Sequence, residues 1–147
     1  MDLARAAGPV DAGRLRLAIG RLSRLMRRHS VAGLTPTQIS TLASVERRGP
    51  LRLGDLAAYE GISPSTLSRP VAALEEGGYL ERRTDPDDAR SSLVATSERG
   101  RALLTTIREE TTALLAERLE LLTAEQRSTL AAALPALEHL ADIDQSL

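Results

Sequence analysis

Between Ser63 and Arg69 the chain sets four side-chain hydroxyls and a guanidinium close together: Ser63, Ser65, Thr66, Ser68 and Arg69. Short hydroxyls fit tightly against base edges in a DNA major groove, and an arginine can fork onto the O6 and N7 of guanine. If these residues open a helix, its free N–H groups also suit a phosphate. A second set follows. Arg90 comes two positions after Asp88, at the end of the turn-forming run Asp85-Pro86-Asp87-Asp88. An arginine on such a tip can enter a narrow minor groove, whose negative potential attracts it. Asp88 reads better as the residue that pairs with Arg90 or a neighbouring cation and aims it than as a DNA contact, because phosphate repels a carboxylate. Arg82 and Arg83, at the base of the same stretch, suit phosphate contacts. Arg52 reads equally as a phosphate contact and as a plain helix-cap residue.

These residues need elements to hold them. Ser63-Pro64 is a cap followed by a first-turn proline, and Leu67, Val71 and Leu74 supply a buried stripe for a helix ending near Glu76, before Gly77-Gly78. A short helix over Leu53 to Glu60 precedes it, with Leu53, Leu56 and Ala57 inward. Ala57 and Gly61 allow a close approach and a tight turn between the two, and Ile62 and Leu67 act as apolar anchors. Tyr79 to Thr84 and Ser91 to Thr96 alternate enough to form the strands of a hairpin, with Tyr79 packed against it. Upstream, Asp11 to about Val31 is an amphipathic helix. Leu15, Ala18, Ile19, Leu22, Leu25 and Met26 form one face, and Arg14, Arg21, Arg24 and Arg28 the other. Thr35-Pro36-Thr37-Gln38 is a capping box that starts a helix ended by Gly49-Pro50. Ser97 opens a long helix to about Leu122, and Thr123 to Gln126 form a second capping box before a final helix.

Composition sets the outer limits. The 147 residues correspond to one domain, and 26 Leu and 22 Ala against five Val and five Ile favour helix. The expected class is mostly α with a small β-hairpin. Cysteine is absent, which excludes disulfides, zinc–thiolate sites and thiol redox sensing. His29 and His139 are too far apart to suggest a metal site, and no cofactor is expected. No Ser-His-Asp set, carboxylate pair or phosphate-binding glycine loop points to an enzyme. No apolar run could span a membrane and no secretory signal is visible, so a cytoplasmic protein is expected. The net charge is only −1, but residues 1–62 carry ten Arg against five acids, and residues 98–147 five Arg against nine. Any DNA contact must therefore be a local patch rather than a bulk charge effect.

Helix, turn, helix and hairpin in this order make a winged helix-turn-helix. The stretch from Leu51 to Gly100 resembles the DNA-binding core of the MarR family of bacterial transcriptional regulators. The resemblance rests on Asp88-x-Arg90, on Leu74-Glu-Glu-Gly-Gly-Tyr-Leu80 and on Ser97-Glu-Arg-Gly100. It implies one domain over 1–147, a DNA-binding core over 35–96, and dimerisation helices over 11–34 and 97–147. It further implies a homodimer on a pseudo-palindromic operator, most often as a repressor, with possible release by a small-molecule effector. The apolar surface of residues 97–147 exceeds what a lone helical hairpin buries, which also asks for a partner.

Simpler readings stand beside these. The arginine row of the first helix is ordinarily a solvated face; the sharper reading is a site for an anionic effector. A winged helix can also be a protein-interaction module that never touches DNA. Three departures from the family pattern matter. Pro70 stands inside the second motif helix, where an interior proline costs roughly 3 kcal/mol, and a kink or irregular turn between Thr66 and Pro70 is expected. Arg52 takes a cap position where a hydroxyl is usual. Glu60 stands where an apolar residue is usual and must be exposed or paired. Pro135 suggests a bend in the last helix.

Overall fold

The structure is a computed structural model and describes residues 8–28 and 32–142. Among the described residues, six helices and two strands run in the order α1 (Ala12–Arg27), α2 (Pro36–Arg48), α3 (Leu53–Glu60), α4 (Pro64–Glu76), β1 (Leu80–Thr84), β2 (Ser92–Thr96), α5 (Glu98–Glu120) and α6 (Ala124–Asp142). The chain divides into two compact units, residues 1–109 and 110–147. The fold is mostly helical with one two-stranded antiparallel sheet, and it is a winged helix-turn-helix.

Helix starts follow the capping chemistry. Thr35 accepts the Gln38 N–H at 3.2 Å, and Gln38 Oε1 accepts the Thr35 N–H at 2.8 Å. The same exchange joins Thr123 and Gln126 at 2.9 and 3.2 Å. Ser63 Oγ accepts the Thr66 N–H at the start of α4. The turn out of α3 needs Gly61 at φ +66°, where the Ile62 N–H reaches back to the Ala57 carbonyl and the Gly61 N–H to that of Ala58. Those two bonds satisfy carbonyls at the helix end, and glycine adopts this conformation without the Cβ penalty. Gly78 at φ +76° ends α4 in the same way, with the Tyr79 N–H on the Leu74 carbonyl.

The core of the first unit gathers Leu42 and Val45 of α2, Leu56 and Ala57 of α3, Leu67, Val71 and Leu74 of α4, and Leu80 and Val94 of the strands. Leu67, Val71 and Leu74 are fully buried and seat α4 on that core. The register pairs Leu80 with Thr96 and Thr84 with Ser92. Leu51 adds a one-residue bridge to Val94, exchanging both backbone hydrogen bonds at 3.1 and 2.8 Å.

Two expectations need correction: an irregular turn at Pro70 and Ile62 as an anchor. α4 continues through Pro70 without an irregular turn. Pro70 offers no N–H to the Thr66 carbonyl, but Thr66 is exposed, so water can take that carbonyl. α6 likewise runs on through Pro135, where the corresponding carbonyl belongs to exposed Ala131. Ile62 is 38% exposed and does not anchor the turn; Leu67 does. Val31, the expected end of the first helix, lies outside the described residues, as does His29.

Candidate nucleic-acid interface

The N-terminus of α4 presents its hydroxyls as a cluster. Ser63 Oγ lies 3.0 Å from Ser65 Oγ and 2.8 Å from Thr66 Oγ1. Ser63 also caps the helix, so its oxygen is partly committed to the backbone, whereas Ser68 is exposed and its hydroxyl makes no hydrogen bond among the described residues. The stripe of Leu67, Val71 and Leu74 faces the core and leaves Ser65, Thr66, Ser68 and Arg69 exposed.

The hairpin tip is a lattice of short hydrogen bonds. Asp88 Oδ1 accepts the Arg90 N–H at 3.0 Å, Asp88 Oδ2 accepts the Ser91 hydroxyl at 3.1 Å, and the Ser91 N–H returns to the Asp88 carbonyl at 2.9 Å. Asp88 thus holds the backbone of Arg90 rather than its guanidinium, which differs from the side-chain pairing expected. The effect on aim is the same in kind: the turn is set and the side chain projects from it. Asp85 is buried and accepts the Asp87 N–H at 2.9 Å.

The remaining arginines of the predicted set are occupied. Arg52 occupies the N-cap position of α3 without a side-chain cap bond, and donates Nε and Nη2 to Asp85 at 2.8 and 2.6 Å. The Asp87 N–H, followed by the Arg52 guanidinium, holds the Asp85 carboxyl below its usual range, and Asp85 raises Arg52. Arg82 pairs with Glu75 of α4 and donates to Ser92 across the hairpin at 3.1 Å. Arg83 forks onto Glu81 at 3.0 and 2.6 Å. Both acid partners of Arg82 and Arg83 are at least partly exposed, and exposed pairs of this kind give way readily to a phosphate.

Several further contacts have partners that the sequence does not name. Arg48 lies over the Tyr59 ring at 3.7 Å, and Arg99 over Tyr79 at 4.9 Å. Glu60 is the partner of the Ser44 hydroxyl, which also receives Arg47 at 3.3 Å, so the acid is paired as its half-buried position requires. Ser97 donates to the Gly78 carbonyl at 2.6 Å and accepts the Gly100 N–H at 3.0 Å, tying α5 to the end of α4. The sequence signal for that link was the Ser97-Glu-Arg-Gly100 run itself.

Arg69 and Arg90 stand apart. Among the described residues from 32 to 101, they are the two arginines whose guanidinium makes no hydrogen bond, ion pair or ring contact. No group of His, Cys, Asp or Glu among the described residues could hold a metal ion.

The MarR family model matches residues 34–92. An uncharacterised HTH-type transcriptional regulator of Mycobacterium bovis is 35% identical over 129 residues, covering 87% of this chain and 90% of that protein. The chain belongs to the MarR family. A transcriptional regulator of Thermotoga maritima has a crystal structure that matches with a TM-score of 0.75 at 26% identity, covering 92% of this chain and 96% of that one. The multiple antibiotic resistance repressor MarR shares the fold, with a TM-score of 0.73 at 24% identity over 88% of this chain and 96% of its own. In this MarR-family transcriptional regulator, the cap-serine helix α4 and the Asp88-x-Arg90 turn both lie within the residues that the family model matches. No helix among its described residues is long and apolar enough to cross a membrane.

Proposed function

We propose that this MarR-family regulator is a homodimer that binds a pseudo-palindromic duplex operator and represses transcription. Two copies of α4 would enter major grooves about one helical turn apart, with each Arg90 in a flanking minor groove. The observation that carries this reading is the pair of unpartnered guanidinium groups at Arg69 and Arg90, in a region where the other described arginines are engaged. An unpaired arginine on a set backbone has donors ready for a base edge or phosphate. Ser65, Thr66 and Ser68 add short hydroxyls beside Arg69. Ser63 serves chiefly as the cap. Arg82 and Arg83 would exchange their carboxylates for phosphates.

The dimer is supported by apolar surface without cover. α1 has no buried residue and exposes Leu17, Ile19 and Leu22. α6 also has none and exposes Leu130, Leu134 and Leu140. Patches of that kind mark association surfaces. α1 also carries five exposed arginines and no acid along its length, which suits an anionic small-molecule effector. Such a ligand would release DNA by favouring a separation of the two α4 helices that no longer fits the groove spacing.

The test is selection of bound sites from random duplex DNA, followed by sizing of the free protein. Recovery of an inverted repeat with half-sites about one turn apart is expected, together with a dimer. Recovery of no preferred sequence, with binding unchanged by Arg69→Ala and Arg90→Ala, would favour a winged-helix module that recognises protein.

A further inference from the structure

The start of α3 and the hairpin are joined at two successive residues. Leu51 zips to Val94, and Arg52 then places both Nε and Nη2 on a single oxygen of Asp85. Asp85 is 6% exposed, while Arg52 remains 47% exposed. The other Asp85 oxygen accepts the Asp87 N–H at 2.9 Å, and the Asp85 carbonyl accepts the Asp88 N–H at 3.3 Å. Asp88 in turn holds the Arg90 N–H. A continuous run of hydrogen bonds therefore leads from the Arg52 guanidinium to the backbone of Arg90.

We infer that Arg52 is a positioning residue for Arg90: it fixes the hairpin turn through Asp85 and does not itself contact DNA. The inference rests on the DNA-binding reading above and narrows the role of one residue within it. Three observations favour it over a helix-cap role or a direct phosphate contact. Arg52 makes no cap hydrogen bond, so capping does not account for it. Its Nε and Nη2 both donate to one oxygen of Asp85, which ties the guanidinium to the hairpin turn. Its partner is buried, and withdrawing the guanidinium would leave a carboxylate charge there without its counter-ion.

The two roles differ in the sign of one effect. If Arg52 touched phosphate, Asp85→Asn would free its guanidinium and remove a negative charge close to a polyanion, so DNA binding would tighten. If Arg52 positions the turn, Asp85→Asn weakens binding despite that favourable change in charge. Asparagine keeps the oxygen that accepts the Asp87 N–H, so the turn retains its own bond.

The probe is the duplex recovered by random-sequence selection, prepared with A·T-rich and with G·C-rich flanks. Asp85→Asn and Arg52→Met should each weaken binding to the A·T-flanked duplex about three- to tenfold, less than the loss of Arg90 itself, with little effect on G·C flanks. Arg52→Lys should recover most of the loss. In an Arg90→Ala background neither change should alter affinity by more than about twofold, because residues acting through one another are not additive. Thermal unfolding of each variant identifies any that fails to fold; in that case Arg52→Lys, which keeps the charge, carries the comparison. Tighter binding by Asp85→Asn, or an Arg52→Met loss that persists undiminished without Arg90, overturns the inference and leaves the DNA-binding reading intact. A wild-type protein that retains no duplex overturns both.

Discussion

Gly100 offers a quantitative test of how α5 is seated. A Cβ placed there would lie 2.2 Å from the Tyr79 carbonyl oxygen, 2.8 Å from Thr96 Cγ2 and 3.2 Å from Leu42 Cδ1. None of these neighbours yields easily: the first is backbone, Thr96 is buried and Leu42 is fully buried. The Tyr79 carbonyl also accepts the Ser97 N–H at 3.1 Å, so moving α5 aside by roughly 1 Å breaks the link that starts the helix. Overpacking costs about 1–3 kcal/mol. The lost hydrogen bond adds about 0.5–1.5 kcal/mol, and alanine's better helix propensity returns up to about 1 kcal/mol. Mid-range values of these terms make Gly100→Ala destabilising by about 2–3 kcal/mol. At fixed protomer concentration that lowers the thermal midpoint by roughly 5–12 °C, and the urea midpoint by roughly 1–2 M. Gly54→Ala is the control. It lies inside α3 with nothing within 4 Å of its Cβ position, and should stabilise by about 0.5–1 kcal/mol. Unfolding of Gly100→Ala at the wild-type urea concentration would refute the reasoning, because the close approach to Tyr79 would then not constrain the fold.

Other outcomes are open to measurement. Arg69→Ala should cost roughly 1–3 kcal/mol of DNA affinity and relax preference at one base position per half-site, as read by repeating the selection; a uniform loss on all sequences would make Arg69 a phosphate contact. Arg90→Ala should weaken binding most where the flanks are A·T-rich, and equal losses on G·C flanks would argue against minor-groove entry. Leu67→Ala, at a fully buried position, should destabilise by about 2–5 kcal/mol in urea titration, and a loss below about 1 kcal/mol would contradict its place as the anchor of α4. The depressed Asp85 carboxyl contributes stability above the ordinary aspartate range, and that contribution disappears as pH falls through its folded value. The stability gap between wild type and Asp85→Asn should accordingly be largest near neutrality and close in acid; a gap constant from pH 7 to pH 3 would exclude the ion pair as its source.

Much of the fold was legible because its signals are local. Thr35 with Gln38, Thr123 with Gln126, and Ser63 before Pro64 each mark a helix start through bonds within four residues. Gly77-Gly78 marks an end in the same way, and the strands fall within a residue of where alternation puts them. The continuity of α4 through Pro70 was not legible because the cost of that proline depends on whether the orphaned carbonyl meets water or core, and Thr66 turns out to be exposed. Ile62 was misjudged for a related reason, since hydrophobicity does not say which side of the tight turn a residue occupies. The arginine partners were the least legible part. Arg52 and Asp85 are 33 positions apart, and nothing local distinguishes Asp85 from Asp87 or Asp88 as its acceptor. Arg69 and Arg90 were singled out by position in the motif, yet their lack of partners emerged only once the other arginines had been paired.

The one-residue bridge at Leu51 has a mechanical consequence. A free hairpin would flex about its own base, letting the finger adapt to grooves of different width. Zipped to the segment that launches α3, this hairpin is held to the helical part of the unit at a second point besides its own base. Under the proposal of effector release, a ligand could not fold this hairpin away on its own and would have to move it together with the start of α3.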